Sequence, residues 1–217
     1  LRWTHRRDAL TLTMGGDYER AEDARKGYLN NLGVRGALKR DEANTVWQAG
    51  AYTQAEWRFA DAWRLSAGLR YTKVRFDSRD RFICTTTLIT APGATPGSCS
   101  GSTAAVSATS QNPDDSGAVS YDAWTPAIGL LYELSRSVHL YANAGQSFET
   151  ATFIELAYRP DGRSGLNLDL QPNRSNHYEI GAKVLLGART RLNLAIFQID
   201  TRHEIVTATN AGGRTSF

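Results

Sequence analysis

Three residues of this sequence have the side chains of a hydrolytic triad: His139, Asn143 and Ser147. Serine, histidine and asparagine can serve as nucleophile, general base and orienting group when they lie within hydrogen-bond reach. Here they recur every four residues along one predicted strand. Neighbours are then about 13 Å apart at about 3.3 Å per residue, so the three cannot form a triad with one another. No other convergent set is evident, and we predict that the chain is not an enzyme.

The two cysteines, Cys84 and Cys99, lie in one long stretch rich in Pro, Gly and Ser. Residues 97–101 imitate a nucleophile elbow, but this segment lacks the strand before and the helix after that such an elbow requires. In an oxidising extracytoplasmic loop, a disulfide that closes about 15 residues is worth about 3 kcal/mol in the entropy model. We predict a disulfide between Cys84 and Cys99, with two free thiols as the alternative.

The remaining candidates for metal binding are weak. His5, His177 and His203 show neither ligand spacing nor a paired cysteine. The acidic pair Asp114 and Asp115 lacks the spacing of an EF-hand loop, and a solvated turn is the better interpretation. We predict no metal site and no cofactor.

Composition excludes few classes of protein. The chain has 217 residues, of which 41% are hydrophobic and 10% aromatic, and this is typical of globular rather than disordered proteins. The net charge of +3 is too small to indicate nucleic-acid binding. Apolar runs are shorter than the about 20 residues of a membrane-spanning helix. The negative mean hydropathy does not exclude a membrane protein, because the strands of a barrel expose apolar groups only at alternate positions.

The elements that carry these residues are predicted to be long strands with two different faces. From Trp47 to Phe59, for example, apolar and small residues alternate with polar ones, which is the period-two pattern of a strand. We expect Ala51, Leu69 and Ile180 to face lipid. The predicted strands are Ala9–Tyr18, Trp47–Phe59, Arg64–Thr72, Trp124–Glu133, Val138–Ser147, Tyr178–Val184 and Arg191–Ile199.

The predicted connections alternate between short and long, which is the plan of a membrane barrel with turns at one end and loops at the other. Aromatic residues near a short turn and at the opposite end are typical of the girdles of such barrels. The soluble alternative is a β-sandwich, whose strands are usually about 5 to 6 residues long. The short turns are Ala60–Ala62, Leu134–Ser137 and Leu186–Ala188, the long loops are Glu19–Ala43, Asp77–Ala118 and Thr150–Arg174, and the aromatic residues are Trp57, Phe59, Trp63 and Trp124.

The strand Leu140–Gly145 and the segment Gln146–Leu156 resemble a strand-to-loop passage of TonB-dependent outer-membrane receptors. In that family a strand of small residues leads to a Gly-Phe-x-x-Pro pattern and then to Glu-Leu. Ser147 stands where the family has Gly, and Ala151 stands where it has Pro. The matching residues are Phe148, Glu149, Glu155 and Leu156, and the resemblance continues through Ser164–Asn167, Leu170–Pro172 and Tyr178–Lys183.

This resemblance implies an all-β fold, namely part of a 22-stranded plugged barrel. Residues 1–217 would supply about seven to eight strands, roughly a third of it, and the plug domain would lie outside them. The resemblance also implies a Gram-negative outer membrane, contact with its lipid, and a complete protein that is a monomer. Its function would be energised uptake of a scarce nutrient, such as a ferric siderophore or similar chelate, with the TonB complex acting through the plug.

Several alternatives stay open. The phrases Phe76–Ser78, Asn112–Gly117 and Phe148–Thr150 resemble a branch of the family linked to uptake of pyrroloquinoline quinone. A passive porin or a soluble carbohydrate-binding β domain would share the strand pattern without the motif.

Two sets of residues are candidates for the site. The first set is charged and belongs to the predicted lumen-facing positions, where it would solvate the wall and form salt bridges to a plug. The second set lies in predicted extracellular loops and suits planar, anionic ligands through stacking and bidentate hydrogen bonds. The lumen-facing residues are Glu56, Arg58, Arg64, Arg70, Glu179 and Lys183, and the loop residues are Arg79, Arg81, Phe82, Tyr158 and Arg159.

Overall fold

The computed structural model describes residues 1–85, 98–99, 112–163, 165–187, 189–211 and 214–217. Most of these residues lie in strands. In chain order the elements are β1 (Arg2–Arg7), β2 (Leu10–Asn31), β3 (Val34–Ala60), β4 (Trp63–Asp80), β5 (Cys84–Thr85), β6 (Ser98–Cys99), β7 (Gly117–Ser135), β8 (Val138–Glu149), α1 (Phe153–Leu156), β9 (Asn173–Leu186), β10 (Thr190–Arg202), β11 (Thr209–Ala211) and β12 (Arg214–Ser216).

Eight of these strands form one sheet in the order β1-β2-β3-β4-β7-β8-β9-β10, and every neighbouring pair is antiparallel. Strands β5 and β6 form one separate pair, and β11 and β12 form another. The predicted all-β fold, a partial transmembrane antiparallel β-barrel, is confirmed. No helix in the described ranges is long and apolar enough to cross a membrane.

The first two strands differ from the prediction. Glu19–Ala43 was predicted to be a loop, but β2 and β3 pair almost to their tips, ending at Asn31 opposite Val34. Charged residues occupy both faces of this hairpin, so its hydropathy does not alternate although its backbone is extended. Leu32 and Gly33 form the turn with φ angles of 50° and 89°. Strand β1 was also missed, because Arg and His dominate its six residues.

The strands expose two chemically different faces. We call the face that carries Leu65, Leu69 and Ile128 the apolar face, and the face that carries Arg64 and Glu56 the polar face. The side chains on the apolar face are largely exposed, with Leu69 at 39% and Ile128 at 53%. A soluble monomer rarely exposes so continuous an apolar surface, so this face is suited to lipid.

Aromatic residues bound the apolar face at both ends. At the end with short turns, Trp63 stacks on Tyr132 with ring centroids 4.3 Å apart. At the end with long loops, Tyr71 lies 5.0 Å from Trp124. Trp63 and Tyr71 are about 27 Å apart along β4, which a tilt of about 40° reduces to about 20 Å. This height is close to the about 25 Å apolar band of outer-membrane barrels.

Strands β7 and β8 separate in their halves nearest the long loops. Their pairing extends only to Ala127 opposite Gly145, while β8 continues to pair with β9 as far as Glu149 opposite Asn173. The next residue of β7 is Pro126, which has no backbone N–H to donate to a neighbouring strand. The separation leaves a cleft in the wall, which we call the β7–β8 cleft.

Candidate functional site

The polar face of the sheet gathers the charged residues that the alternation predicted for one side. A cavity of about 570 Å³ lies against this face near the short-turn end. An adjoining cavity of about 610 Å³ lies nearer the long loops and is lined by Arg70, Glu179 and His177. The structure thus places five of the six predicted lumen-facing residues around the first cavity and the sixth, Arg70, in the second. The five are Glu56, Arg58, Arg64, Glu179 and Lys183.

Two of these charges are paired with carboxylates on the same face, and a third contacts an aromatic ring. The guanidinium of Arg64 lies 2.6 Å from the carboxylate of Glu133, and that of Arg70 lies 2.8 Å from Asp17. The ammonium of Lys183 lies 5.3 Å from the ring centroid of Tyr141. Such pairs stabilise a hydrated wall and leave polar groups of both signs available to a domain packed against it.

His177 and Ser147 form a contact that the sequence analysis missed. The Oγ of Ser147 lies 2.9 Å from Nε2 of His177, across the pairing of β8 with β9. Among the described residues no carboxylate forms a hydrogen bond with Nδ1 of His177, and the Ser147–His177 pair is exposed. Spacing along one strand could not reveal this contact, because it joins two strands.

At the long-loop end, the segment from Thr150 to Pro172 folds over the polar face. We call it the mouth segment. Its short helix α1 buries Leu156 completely, and Leu156 belongs to a cluster with Val74 and Phe76 of β4. Phe153 meets Phe76 edge to face, with ring centroids 5.1 Å apart. The mouth segment was predicted to be a surface loop, but it forms a small hydrophobic core above the two cavities.

The local sequence starts α1 through a capping box. The Oγ1 of Thr152 accepts a hydrogen bond from the backbone N–H of Glu155, and the carboxylate of Glu155 accepts one of 2.7 Å from the backbone N–H of Thr152. This reciprocal pair satisfies two backbone donors that the first turn of a helix leaves free. Glu155 and Leu156, two residues of the predicted family motif, therefore fix and anchor this turn.

Further hydrogen bonds attach the mouth segment to its surroundings. The Tyr121 hydroxyl donates to the backbone carbonyl of Leu170 at 3.1 Å. The carboxylate of Asp115 accepts from the backbone N–H of Gly165 at 2.7 Å, which links this segment to the residues just before β7. The core, to which Tyr121 also belongs, and the Asp115 hydrogen bond together hold the mouth segment against the sheet.

Two buried carboxylates lie on the long-loop side of Tyr71 and Trp124, the pair that we call the aromatic row. Glu42 is 5% exposed and Asp80 is 8% exposed, and they are opposite each other in the pairing of β3 with β4. Burial raises the pKa of Glu42, although the Arg40 guanidinium 2.9 Å away opposes that shift. Burial also raises the pKa of Asp80, which accepts backbone hydrogen bonds from Phe82 and Asp115.

The predicted ligand contacts are not all in loops. Arg79 belongs to β4 and is exposed on the face opposite to Phe76. Arg81 is exposed, whereas Phe82 is buried. The structure does not bring Arg79 to the mouth segment.

The other two predicted contacts, Tyr158 and Arg159, lie within the mouth segment. The guanidinium of Arg40 lies 4.9 Å from the ring centroid of Tyr158. Arg159 pairs with Asp161 at 3.3 Å and with Asp169 at 3.5 Å, and the pKa of Asp161 is lowered mainly by this contact. Arg40 was not predicted as a site residue, because its contact with Tyr158 joins residues far apart in sequence and no local pattern shows it.

Cys84 is buried and disulfide-bonded. The register of β5 with β6 places it opposite Cys99, which is the second cysteine of the chain. The Cys99 side chain lies outside the described residues, and the pairing of the two cysteines is carried forward as a prediction. Among the described residues no group of three or more His, Cys, Asp or Glu side chains could hold a metal ion.

These features define a β-barrel wall with a polar, partly filled interior. The family model described as TonB dependent receptor-like, beta-barrel matches residues 1–217. The chain therefore belongs to this family, whose members are receptors and transporters.

Solved structures show the same fold. The ferric-catecholate import receptor Fiu from E. coli K12 aligns with a TM-score of 0.63 at 19% identity, over 99% of this chain and 32% of that one. The ferric yersiniabactin uptake receptor FyuA from Yersinia pestis gives 0.64 at 14% identity, over 93% and 27%. The copper transporter OprC gives 0.63 at 17% identity, over 89% and 28%. The chain spans less than a third of the length of these proteins.

Proposed function

We propose that this chain forms part of an outer-membrane receptor that captures a scarce nutrient, such as a metal chelate, and imports it with energy from the TonB complex. The observation that carries the proposal is the mouth segment packed over the polar face, with Leu156 fully buried beneath it. A segment that folds over the long-loop end of the wall suits the capture of a solute better than free diffusion through an open pore. Family membership supports the same class of protein.

The polar face supports a plug domain as the partner inside the barrel. Its cavities expose carboxylates, guanidinium groups and an ammonium group, all of which would be costly in lipid. We infer that a plug domain outside residues 1–217 covers this face and transmits the pull of TonB. The apolar face would contact outer-membrane lipid, and the complete receptor would act as a monomer.

The nutrient class rests on chemistry at the mouth and on the neighbours' names. Two of the similar proteins are described as receptors for ferric chelates and one as a copper transporter. A chelate that carries anionic oxygens and planar aromatic groups would be contacted well by guanidinium groups and aromatic rings. We propose Tyr158 and Arg159 of the mouth segment as the leading contacts. Arg81 and Phe82, which directly follow β4, are further candidates, and Arg79 is the least favoured because of its position on β4.

Growth of the source bacterium tests this function. The complete gene would be deleted, and growth would be measured with a panel of ferric chelates, copper or pyrroloquinoline quinone as the limiting nutrient. We expect the deletion strain not to grow on one of these nutrients and the wild-type gene to restore that growth. A strain that lacks TonB should fail to grow on the same nutrient. Unimpaired growth on the whole panel, or uptake that does not require TonB, would contradict the proposal.

In the same strain, rescue of growth by the Arg159→Gln gene should be weaker than rescue by the Arg163→Gln gene, because the Arg163 side chain is 82% exposed.

A further inference from the structure

Two arginines meet across strands β9 and β10. The register places Arg174 opposite Arg202, at the end of the strands nearest the long loops. Both side chains are exposed, and both occupy the same alternate positions as Ile180 and Ile196, so they belong to the apolar face. Like charges directly opposite each other destabilise a sheet.

In the described part of the chain, no carboxylate lies within 4.0 Å of either arginine. The nearest carboxylate on the same face of β10, Asp200, accepts two hydrogen bonds of 3.0 and 3.1 Å from the Gln198 amide instead. Arg174 donates one hydrogen bond of 3.2 Å to the backbone carbonyl of Asp122. The two guanidinium groups therefore retain most of their donors and both of their charges.

Two other arginines of the apolar face are paired. Arg20 and Arg75 both lie opposite Trp47, beyond Tyr71 on the long-loop side. Arg20 forms a salt bridge with Glu22, and Arg75 lies 3.7 Å from Asp77. Lys73 and Arg79, at the same alternate positions of β4 as Arg75, also have no carboxylate of a described residue within 4.0 Å. What distinguishes Arg174 and Arg202 is that two guanidinium groups without a carboxylate lie directly opposite each other.

The arginine pair also borders a cavity. A space of about 180 Å³ lies at the β7–β8 cleft and is lined by both arginines together with Trp124, Ser175 and Asn176. Hydroxyl, amide and guanidinium groups are suitable donors to phosphate oxygens, and guanidinium groups bind phosphate bidentately. Trp124 is 59% exposed and belongs to the aromatic row, where the apolar band gives way to the headgroups.

We propose that Arg174 and Arg202 form a site at the β7–β8 cleft for a phosphate monoester on the headgroup of a membrane lipid. The phosphate group neutralises the two like charges, and the polar residues of the cleft complete its hydrogen bonds. The acyl chains of the lipid extend along the apolar face below Trp124. This assignment rests on the proposed placement of the apolar face in lipid. It does not depend on which nutrient is taken up.

The test uses the complete receptor in detergent, with phosphatidic acid as the probe because its headgroup is a phosphate monoester. Native mass spectrometry would measure its dissociation constant, with diacylglycerol as the uncharged lipid and inorganic phosphate as the soluble anion. The variant is Arg174→Gln with Arg202→Gln. Its matched control is Arg20→Gln with Arg75→Gln, which removes the same charge from the long-loop end of the same face. Heat-modifiable gel mobility would verify that each protein has a folded barrel.

We expect the Arg174 and Arg202 variant to bind phosphatidic acid about tenfold more weakly or worse, since it loses charge-assisted hydrogen bonds, and the control variant to bind like the wild type. Equal binding by wild type and variant would overturn the site, and equal losses in variant and control would show general electrostatic attraction instead. Inorganic phosphate that binds as tightly as the lipid would overturn the assignment to a headgroup. Nutrient uptake would be unchanged in the variant, so failure of this site and failure of the proposed function are distinguishable.

Discussion

Burial raises the pKa of two carboxyl groups at the long-loop end, those of Asp80 and Glu42. Asp80 has a raised pKa because burial disfavours its charged form, and Glu42 lies opposite it with a shift in the same direction. Below the ordinary pKa of 3.8 the Asp80 carboxyl is protonated in both the folded and the unfolded protein. Above 3.8 the folded protein retains a proton that the unfolded chain has released. The contribution of Asp80 to stability is therefore complete at low pH and is lost as the pH rises through its raised pKa.

Asp80→Asn should weaken this pH dependence, because the neutral amide cannot ionise. The measurement is the hydrogen-exchange protection of the Phe82 amide, corrected for intrinsic exchange. In the wild type we expect this protection to fall as the pH rises from 4 to 8. In the Asp80→Asn variant the fall should be smaller. Asp77→Asn is the control, since Asp77 is exposed on the other face of β4. An Asp80→Asn protein with the full wild-type pH dependence would contradict this explanation.

The cysteines give a second prediction at this scale. We expect one disulfide between Cys84 and Cys99, because Cys84 is disulfide-bonded and Cys99 is its partner in register. Mass spectrometry of the complete receptor, isolated from membranes without reductant, should find the two peptides linked. Two alkylatable thiols in that sample would contradict it. In the entropy model the loss of this link should cost about 3 kcal/mol for a loop of about 15 residues.

Among the secondary-structure elements, the mouth segment has the largest predicted response to a single change. Leu156→Ala removes a side chain that is fully buried against Val74 and Phe76, and such truncations cost about 2 to 5 kcal/mol. Ile154→Ala is the matched control, because Ile154 lies on the same helix and is 68% exposed. Limited proteolysis of the complete receptor should cut within residues 150–172 of the Leu156 variant first. Equal resistance of both variants would show that this core does not hold the segment in place.

The sequence predicted some elements well and others poorly, for physical reasons. Strand β3 from Trp47 onward was predictable because one of its faces meets lipid and the other meets polar groups, which imposes a period of two. Toward Arg40 the outer face of β3 meets water while the inner face buries polar residues, Glu42 and Asn44, so both faces are polar and the hydropathy has no such period. The packing of Leu156 on Phe76 joins residues far apart in sequence, and no local pattern encodes such a contact. The separation of β7 from β8 is equally non-local, although Pro126 is a visible signal for it.

On the scale of the whole molecule, the two faces of the wall should respond differently to charge. Ile128→Arg places a cation on the apolar face opposite Ala67, midway between Trp63 and Tyr71 along β4, and should cost about 2 to 4 kcal/mol in lipid. Gln54→Arg places the same charge on the polar face beside the second cavity and should cost much less. Refolding titrations of the complete receptor into lipid vesicles measure both free energies. Equal costs would refute the assignment of the faces.

The open edges of the sheet lead to the last prediction. Among the strands that the structure describes, β1 and β10 each have a neighbour on one side only, and every unsatisfied backbone group in hydrocarbon costs several kcal/mol. Eight strands can close into a small barrel, but side chains alone fill the interior of such a barrel. Closure here would expel the mouth segment and expose Leu156. Residues 1–217 expressed alone should therefore give neither a heat-modifiable monomer nor tight nutrient binding, whereas the complete receptor should give both on the same gels and in the same binding assay. A ligand-competent, heat-modifiable monomer of residues 1–217 would show that these strands close without further wall.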